Sequence, residues 1–174
     1  MTASTVRILG IDPGSRRTGY GLIEAGARSL HVAHGVIAAG ELPLAERLLA
    51  ILEGVSAVVR EFRPQEIAIE SVFVKLNARS ALTLGQARGA AICAVAQAGL
   101  PMQEYAPAEI KLAVAGSGRA DKRQMQQMVK VLLNLRQSAA ADAADALACA
   151  LCHAHLRTHR ARVAALPPLK RVWA

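Results

Sequence analysis

Apolar residues fall in two rhythms along this chain. From Val6 to Ile11 they run almost without a break, and Tyr20-Gly21-Leu22-Ile23 forms a second run after a turn holding Pro13 and Gly14. Runs of this length closed by Pro and Gly predict strands. A third strand is expected over Ser29 to Ala38, punctuated by Gly35 and Gly40. The short connections make these three an antiparallel meander. The rhythm then changes. Leu44, Leu48, Ile51, Leu52, Val55, Val58 and Val59 recur at helical spacing, predicting a helix from Leu44 to Phe62 that stops before Pro64. Ile67-Ala68-Ile69-Glu70 reads as a short buried strand. A strand reached through a helical crossover lies parallel to an earlier one. If its neighbour is the first strand, Glu70 and Asp12 emerge side by side.

The second half is mostly helical. Ser80 to Ala98 is a helix of small residues, among them Ala87, Gly89, Ala90, Ala91 and Ala94. Such a face admits a close backbone, either from inside the fold or from a second subunit. Met102 to Tyr105 is the last strand, and Glu109 to Ala115 makes one or two helical turns. Gly116 to Ala120 is a basic link between those turns and a helix from Asp121 to Leu133, and the final helix runs from Ala139 to His155. Strands followed by alternating helices and strands predict one α/β domain with a mixed sheet of five strands. The domain is expected over residues 1–156, with 157–174 as a basic tail containing Pro167-Pro168 and Trp173.

Charge adds a partner class. The net charge is +8 with a pI near 10.1, and no acidic residue follows Asp145. A basic balance of this kind favours a polyanion, nucleic acid above all. Aromatic residues are 3% of the chain, so base stacking would rest on very few side chains. Three cysteines argue against a disulfide framework. The chain lacks an apolar run of ~18 residues and its first residues lack a signal-peptide layout, so a cytoplasmic protein is expected.

Four acids carry the candidate chemistry. Asp12 and Glu70 leave the carboxyl ends of strands, where α/β sheets commonly bind ligands. Asp142 and Asp145 stand three apart on the final helix and so share a face. Taken singly, each has a plain alternative: Asp12 a turn residue, Glu70 an exposed strand end, Asp142 a partner for the helix dipole. Together they would form a cluster of repelling charges. A hard divalent cation bound through oxygen, Mg²⁺ or Mn²⁺, is the natural remedy. Two such ions roughly 4 Å apart are a common device for in-line phosphodiester cleavage.

Four segments make the reading specific. Gly10-Ile11-Asp12-Pro13-Gly14-Ser15-Arg16, Ala68-Ile69-Glu70-Ser71-Val72-Phe73, Leu84-Gly85-Gln86-Ala87-Arg88-Gly89 and Ala141-Asp142-Ala143-Ala144-Asp145-Ala146-Leu147 resemble the RuvC family of Holliday-junction resolvases. The resemblance covers roughly residues 6 to 155, and Ser71 is a minor variation. It implies a ribonuclease-H-like fold and a homodimer that nicks four-way DNA junctions symmetrically with two Mg²⁺ ions per site. It also implies that Asp12, Glu70, Asp142 and Asp145 are the metal-binding catalytic acids, and that 5′-phosphate and 3′-hydroxyl ends result. By position it makes Phe73 a base-stacking aromatic and Lys111 and Lys122 basic groups near the scissile phosphate. For these the alternatives are a core phenylalanine and a solvated helix face. Arg16, Arg79, Arg88, Arg119 and Arg123 are unranked candidates for phosphate contact. Cooperation with the RuvAB branch-migration motor and a thymine-rich cutting sequence come from the resemblance alone.

Two other patterns compete. Cys149-Ala150-Leu151-Cys152-His153 matches a haem-attachment motif, and with His155 a zinc set, but it continues a helix, where small packing residues are the simpler account. The opening strand pair also suits an actin-like or sugar-kinase-like phosphate-binding domain. Those proteins enclose ATP between two such domains and have no use for Asp142 and Asp145. A junction-binding module without catalysis is the third reading, and turnover with Mg²⁺ separates it from the nuclease.

Overall fold

The computed structural model describes residues 5–71 and 78–164, with side chains described as far as Arg157. Ten elements follow one another: β1 (Val6–Asp12), β2 (Arg17–Ala25), β3 (Ser29–Ala38), α1 (Leu44–Phe62), β4 (Glu66–Glu70), α2 (Ala78–Gln97), β5 (Met102–Tyr105), α3 (Pro107–Ala115), α4 (Lys122–Leu132) and α5 (Ala141–Ala164). They make one mixed sheet in the order β3-β2-β1-β4-β5. The meander β1-β2-β3 is antiparallel, while β4 joins β1 in parallel and β5 joins β4 in parallel. The α1 crossover returns the chain parallel to an earlier strand, as expected, and that neighbour is the first strand.

Helices cover both faces. Leu9, Ile11, Leu22, Ile67 and Ile69 face Ile51 and Val55 of α1 and Ala87, Ala91 and Val95 of α2. Ile8, Ile23 and Ala68 face α5, which α3 and α4 flank through Ile110, Val114, Met125 and Val129. The even and odd positions of β1 thus feed two different cores, and both must be apolar. That is why the strand reads as an unbroken run.

The seating of α5 is unusually close. A Cβ placed on Gly10 would stand 2.0 Å from the Ala146 carbonyl oxygen, and one on Gly19 would stand 1.9 Å from that of Asp142. Only glycine leaves room for a helix backbone there. The facing side of α5 is correspondingly small, with Ala143, Ala146 and Ala150 all buried.

Helix starts differ from the sequence expectation by two residues at α2, α3 and α5, and the end of α5 differs by more. The final helix continues beyond His155 to Ala164, and Arg157 grips Glu66 of β4 with its Nε at 2.9 Å and Nη2 at 2.6 Å. Glu66 also bonds His153 Nε2 at 2.7 Å, whose Nδ1 meets the Tyr105 hydroxyl at 2.8 Å. Basic composition suggested a tail, but one arginine found a carboxylate and stays with the fold. Cys149 and Cys152 are fully buried packing residues, and burial pushes the Cys149 thiol well above its ordinary range. His153 is committed to Glu66 and Tyr105, so the haem-like motif serves the core.

Because backbone atoms cannot retreat as a side chain can, Gly10→Ala is expected to destabilise the protein by about 2 kcal/mol or more. Chemical denaturation with circular dichroism checks this.

Candidate active site

Strand and helix ends build the site together. Asp12 closes β1 and Glu70 closes β4, and the parallel register pairs Ile11 with Ile69 immediately before them. The two carboxylates therefore leave adjacent strands at the same edge of the sheet. Asp142 and Asp145 lie in the first turns of α5, above that edge because Gly10 and Gly19 admit the helix. Asp12, Glu70 and Asp145 line a cleft of about 360 Å³, together with Lys111 of α3, Lys122 of α4, Pro107, Ile110, Met125 and Ala148.

The electrostatics of this cleft are unfavourable as they stand. Burial, then the charges of Glu70, Asp145 and Asp142, push the Asp12 carboxyl from 3.8 up to about 8, while Lys122 pulls it down. Burial and Asp145 raise Glu70, against Lys111 and Lys122. Asp145 is raised by burial and by Asp142, again opposed by the two lysines. Desolvation leads in all three cases, which marks carboxylates held away from water without enough positive charge nearby. Perturbed acids converging in a cleft are a functional-site signature.

Lys122 is placed against local preference. It is the first residue of α4, whose start is capped by Asp121 accepting from the Gln124 backbone N–H at 2.8 Å. A cation at a helix N-terminus opposes the dipole. Here the acids of the cleft supply the compensation.

Sequence reasoning passed over Arg17. Its Nε donates to Asp142 Oδ2 at 2.7 Å, an ion pair that engages this acid. The signal was strand periodicity: Arg17 lies two residues before Gly19, and so points to the α5 face. The other arginines are scattered. Arg16 pairs with Glu41 at 2.9 Å on the surface, and Arg79 lies exposed in the first turn of α2. Arg119 and Arg123 line a broad groove along α4 with Ser117, Gln124 and Gln127. Arg88 is largely buried, near Glu104 and the backbone of Glu70. Phe73 lies outside the described residues.

Comparison with known proteins identifies the family. A family model described as crossover junction endodeoxyribonuclease RuvC matches residues 8–153. The crossover junction endodeoxyribonuclease RuvC of Halorhodospira halophila is 59% identical over 156 residues, covering 87% of this chain and 92% of its own length. That of Xanthomonas oryzae is 54% identical over 154 residues, covering 87% and 88%. Among solved structures, Thermus thermophilus RuvC superposes with a TM-score of 0.80 at 33% identity, covering 88% of this chain and 96% of that one. The same protein in complex with a Holliday junction substrate gives 0.82 at 34% identity, covering 89% and 96%. The yeast mitochondrial resolvase Ydc2, 12% identical over 93% of this chain and 85% of its own, shares the fold with a TM-score of 0.61. Family model, sequence identity and fold agree: this chain belongs to the RuvC family of crossover junction endodeoxyribonucleases, with their ribonuclease-H-like fold.

Proposed function

We propose that this chain resolves four-way DNA junctions by two symmetry-related, Mg²⁺-dependent nicks, with Asp12, Glu70, Asp142 and Asp145 as the metal-binding catalytic acids. The observation that carries the reading is the convergence of Asp12, Glu70 and Asp145 with Lys111 and Lys122 in one cleft. Family membership supplies the reaction class, and RuvC-family nucleases are metal-dependent.

The residues fit a hard cation. The cleft offers carboxylate oxygen and neither thiolate nor imidazole, a donor set for Mg²⁺ or Mn²⁺ rather than zinc. Among the described residues no three acids or histidines close into a ready-made cage, and Asp142 is turned to Arg17. Mg²⁺ sites suit such openness, because that ion keeps several waters and shares its shell with substrate phosphate. When bound, a pair of ions would polarise the scissile phosphodiester and lower the barrier to its in-line hydrolysis.

The chain's own groups do the rest. Asp12, half-buried at the sheet edge, holds its carboxylate where neighbouring acids oppose its ionisation, so a cation or the lysines must favour the charged form. Lys122 and Lys111 are aimed at the same carboxylates, where either can also meet a phosphate oxygen and the negative charge that develops on it. Hydrolysis adds water across the P–O3′ bond, leaving a 5′-phosphate and a 3′-hydroxyl. Arg119 and the groove along α4 extend the basic surface away from the cleft, and Arg16 and Arg79 are exposed for phosphate contact. Phe73, in the segment after Glu70, is the proposed stacking partner for a base opened at the crossover.

A homodimer belongs to the same reading. Two matched nicks on a nearly two-fold substrate call for two sites related by that symmetry. The outer side of α2 supports a second chain there: Leu82 is exposed, and a Cβ on Gly85 or Gly89 would meet nothing within 4 Å. Action in the cytoplasm with the RuvAB motor completes the proposal. No helix among the described residues is long and apolar enough to cross a membrane.

With labelled four-way junction and matched linear duplex, the protein is expected to sediment as a dimer and to give paired nicks in the junction alone, only with Mg²⁺ or Mn²⁺. Asp12→Asn should lower the cleavage rate by roughly a thousandfold or more while still binding the junction. Junction binding without cleavage in any metal would make the protein an architectural module. ATP turnover without junction preference would favour the phosphate-binding reading.

Protons and metal compete for Asp12. Since its metal-free carboxyl is pushed up to about 8, the Mg²⁺ concentration for half-maximal cleavage should rise as pH falls below that value. Displacing one proton per site predicts a change of roughly tenfold per pH unit, read from Mg²⁺ titrations of single-turnover rates.

A further inference from the structure

The Leu84-Gly85-Gln86-Ala87-Arg88-Gly89 segment offered Arg88 as one more candidate for DNA phosphate. Its surroundings say otherwise. The side chain is 17% exposed, and Nη2, which is buried, makes an ion-pair contact of 2.6 Å with Glu104 Oε2 outside hydrogen-bond geometry. Nε donates to the backbone carbonyl oxygen of Glu70 at 3.3 Å. Three elements thus meet on one guanidinium: α2 supplies it, β4 receives it at its last residue, and β5 supplies the carboxylate. Glu104 is in register with Ile69, one residue before Glu70, so the two partners stand on neighbouring rungs of adjacent strands. Just beyond, the Ser71 N–H donates to the Tyr105 carbonyl at 2.8 Å. There the described strand ends.

We propose that Arg88 is a positioning residue for Glu70: it clamps the end of β4 to α2 and to Glu104, and thereby fixes where the Glu70 carboxylate stands in the cleft. The inference rests on the reading of Glu70 as a catalytic acid. Arg88 grips the main chain and leaves the carboxylate to the cleft, where Asp145, Lys111 and Lys122 are the charges that act on it. A rigid planar fork suits this task, since it can hold a carbonyl and a carboxylate in a fixed relation. An arginine already paired and mostly buried is a poor ligand for DNA, whereas a small displacement of Glu70 is costly. A shift of about 1 Å in a reacting group can slow catalysis by roughly a hundredfold.

The two roles separate cleanly in measurement. The full-length protein, its Arg88→Gln, Arg88→Lys, Glu104→Gln and Glu70→Gln variants and the Arg88→Gln, Glu104→Gln double variant are compared by single-turnover junction cleavage in Mg²⁺, and by junction affinity across a salt series without Mg²⁺. The proposal expects Arg88→Gln to slow cleavage of the bound junction by about tenfold or more, with Kd within about twofold and an unchanged salt slope. Arg88→Lys should fall between that variant and the parent. Glu104→Gln, a change at a half-exposed carboxylate, should also slow cleavage, and the double variant should be no slower than Arg88→Gln alone. Weaker binding with a salt slope reduced by about one, and an unchanged rate once bound, would make Arg88 a phosphate contact and overturn the proposal. If circular dichroism shows the Arg88 variants to be unfolded, Glu104→Gln decides, and an unchanged rate overturns it. Parent-like cleavage by Glu70→Gln would instead sink the reading of Glu70, and the proposal with it.

Discussion

The whole arrangement depends on how closely α5 approaches the sheet. Two positions without a Cβ, Gly10 on β1 and Gly19 on β2, let the helix backbone rest where any side chain would collide with a carbonyl oxygen. That contact places the first turns of α5 over the edge where β1 and β4 end. Move the helix outward by a side chain and Asp142 and Asp145 leave the neighbourhood of Asp12 and Glu70. Packing geometry and charge placement are therefore one constraint, and the same glycines serve both.

Bringing the acids together creates an electrostatic conflict that the fold alone does not resolve. Three of the acids are raised above their ordinary range, chiefly by burial. Lys111 and Lys122 offset part of this, and Arg17 takes Asp142. Lys122 does so from a helix start where a cation is locally disfavoured, so its site is chosen by the cluster. Strain of this kind is what a binding site for cations and a phosphodiester would store. In the proposed arrangement Arg88 and Glu104 brace the strand that carries Glu70, so an ion pair adds to the packing that holds the acids.

Much of this was legible in the residues, for identifiable reasons. Long apolar runs closed by Pro13 or Pro64 left little choice of strand and helix, and Met102–Tyr105 and Leu44–Phe62 lie where the pattern put them. The crossover rule gave the parallel sense of β4 but left its neighbour open; the pairing with β1 sets Asp12 beside Glu70. The fate of individual arginines was not legible. Arg17, Arg88 and Arg157 are chemically alike in sequence, yet one pairs with a site acid, one braces a strand and one ties α5 to Glu66. Each outcome depends on a partner 16 or more residues away along the chain, which local pattern does not encode. The extra turns of α5 were missed for the same reason: Arg157 looked like part of a basic tail until Glu66 supplied its counter-charge.

The fold brings half-buried carboxylates together, and the proposed cation would relieve them; stability against pH tests this most directly. Asp12 has a folded value near 8 against 3.8 ordinarily, so the folded state holds the extra proton between those limits. Its contribution to stability is full at the acid end and is lost as pH rises through about 8. Denaturant unfolding of the metal-free protein across this range should show stability falling as pH rises. The fall should shrink in Asp12→Asn and be offset by Mg²⁺. A metal-free protein whose stability rises with pH, or one in which neither Mg²⁺ nor Asp12→Asn changes the slope, would contradict the account.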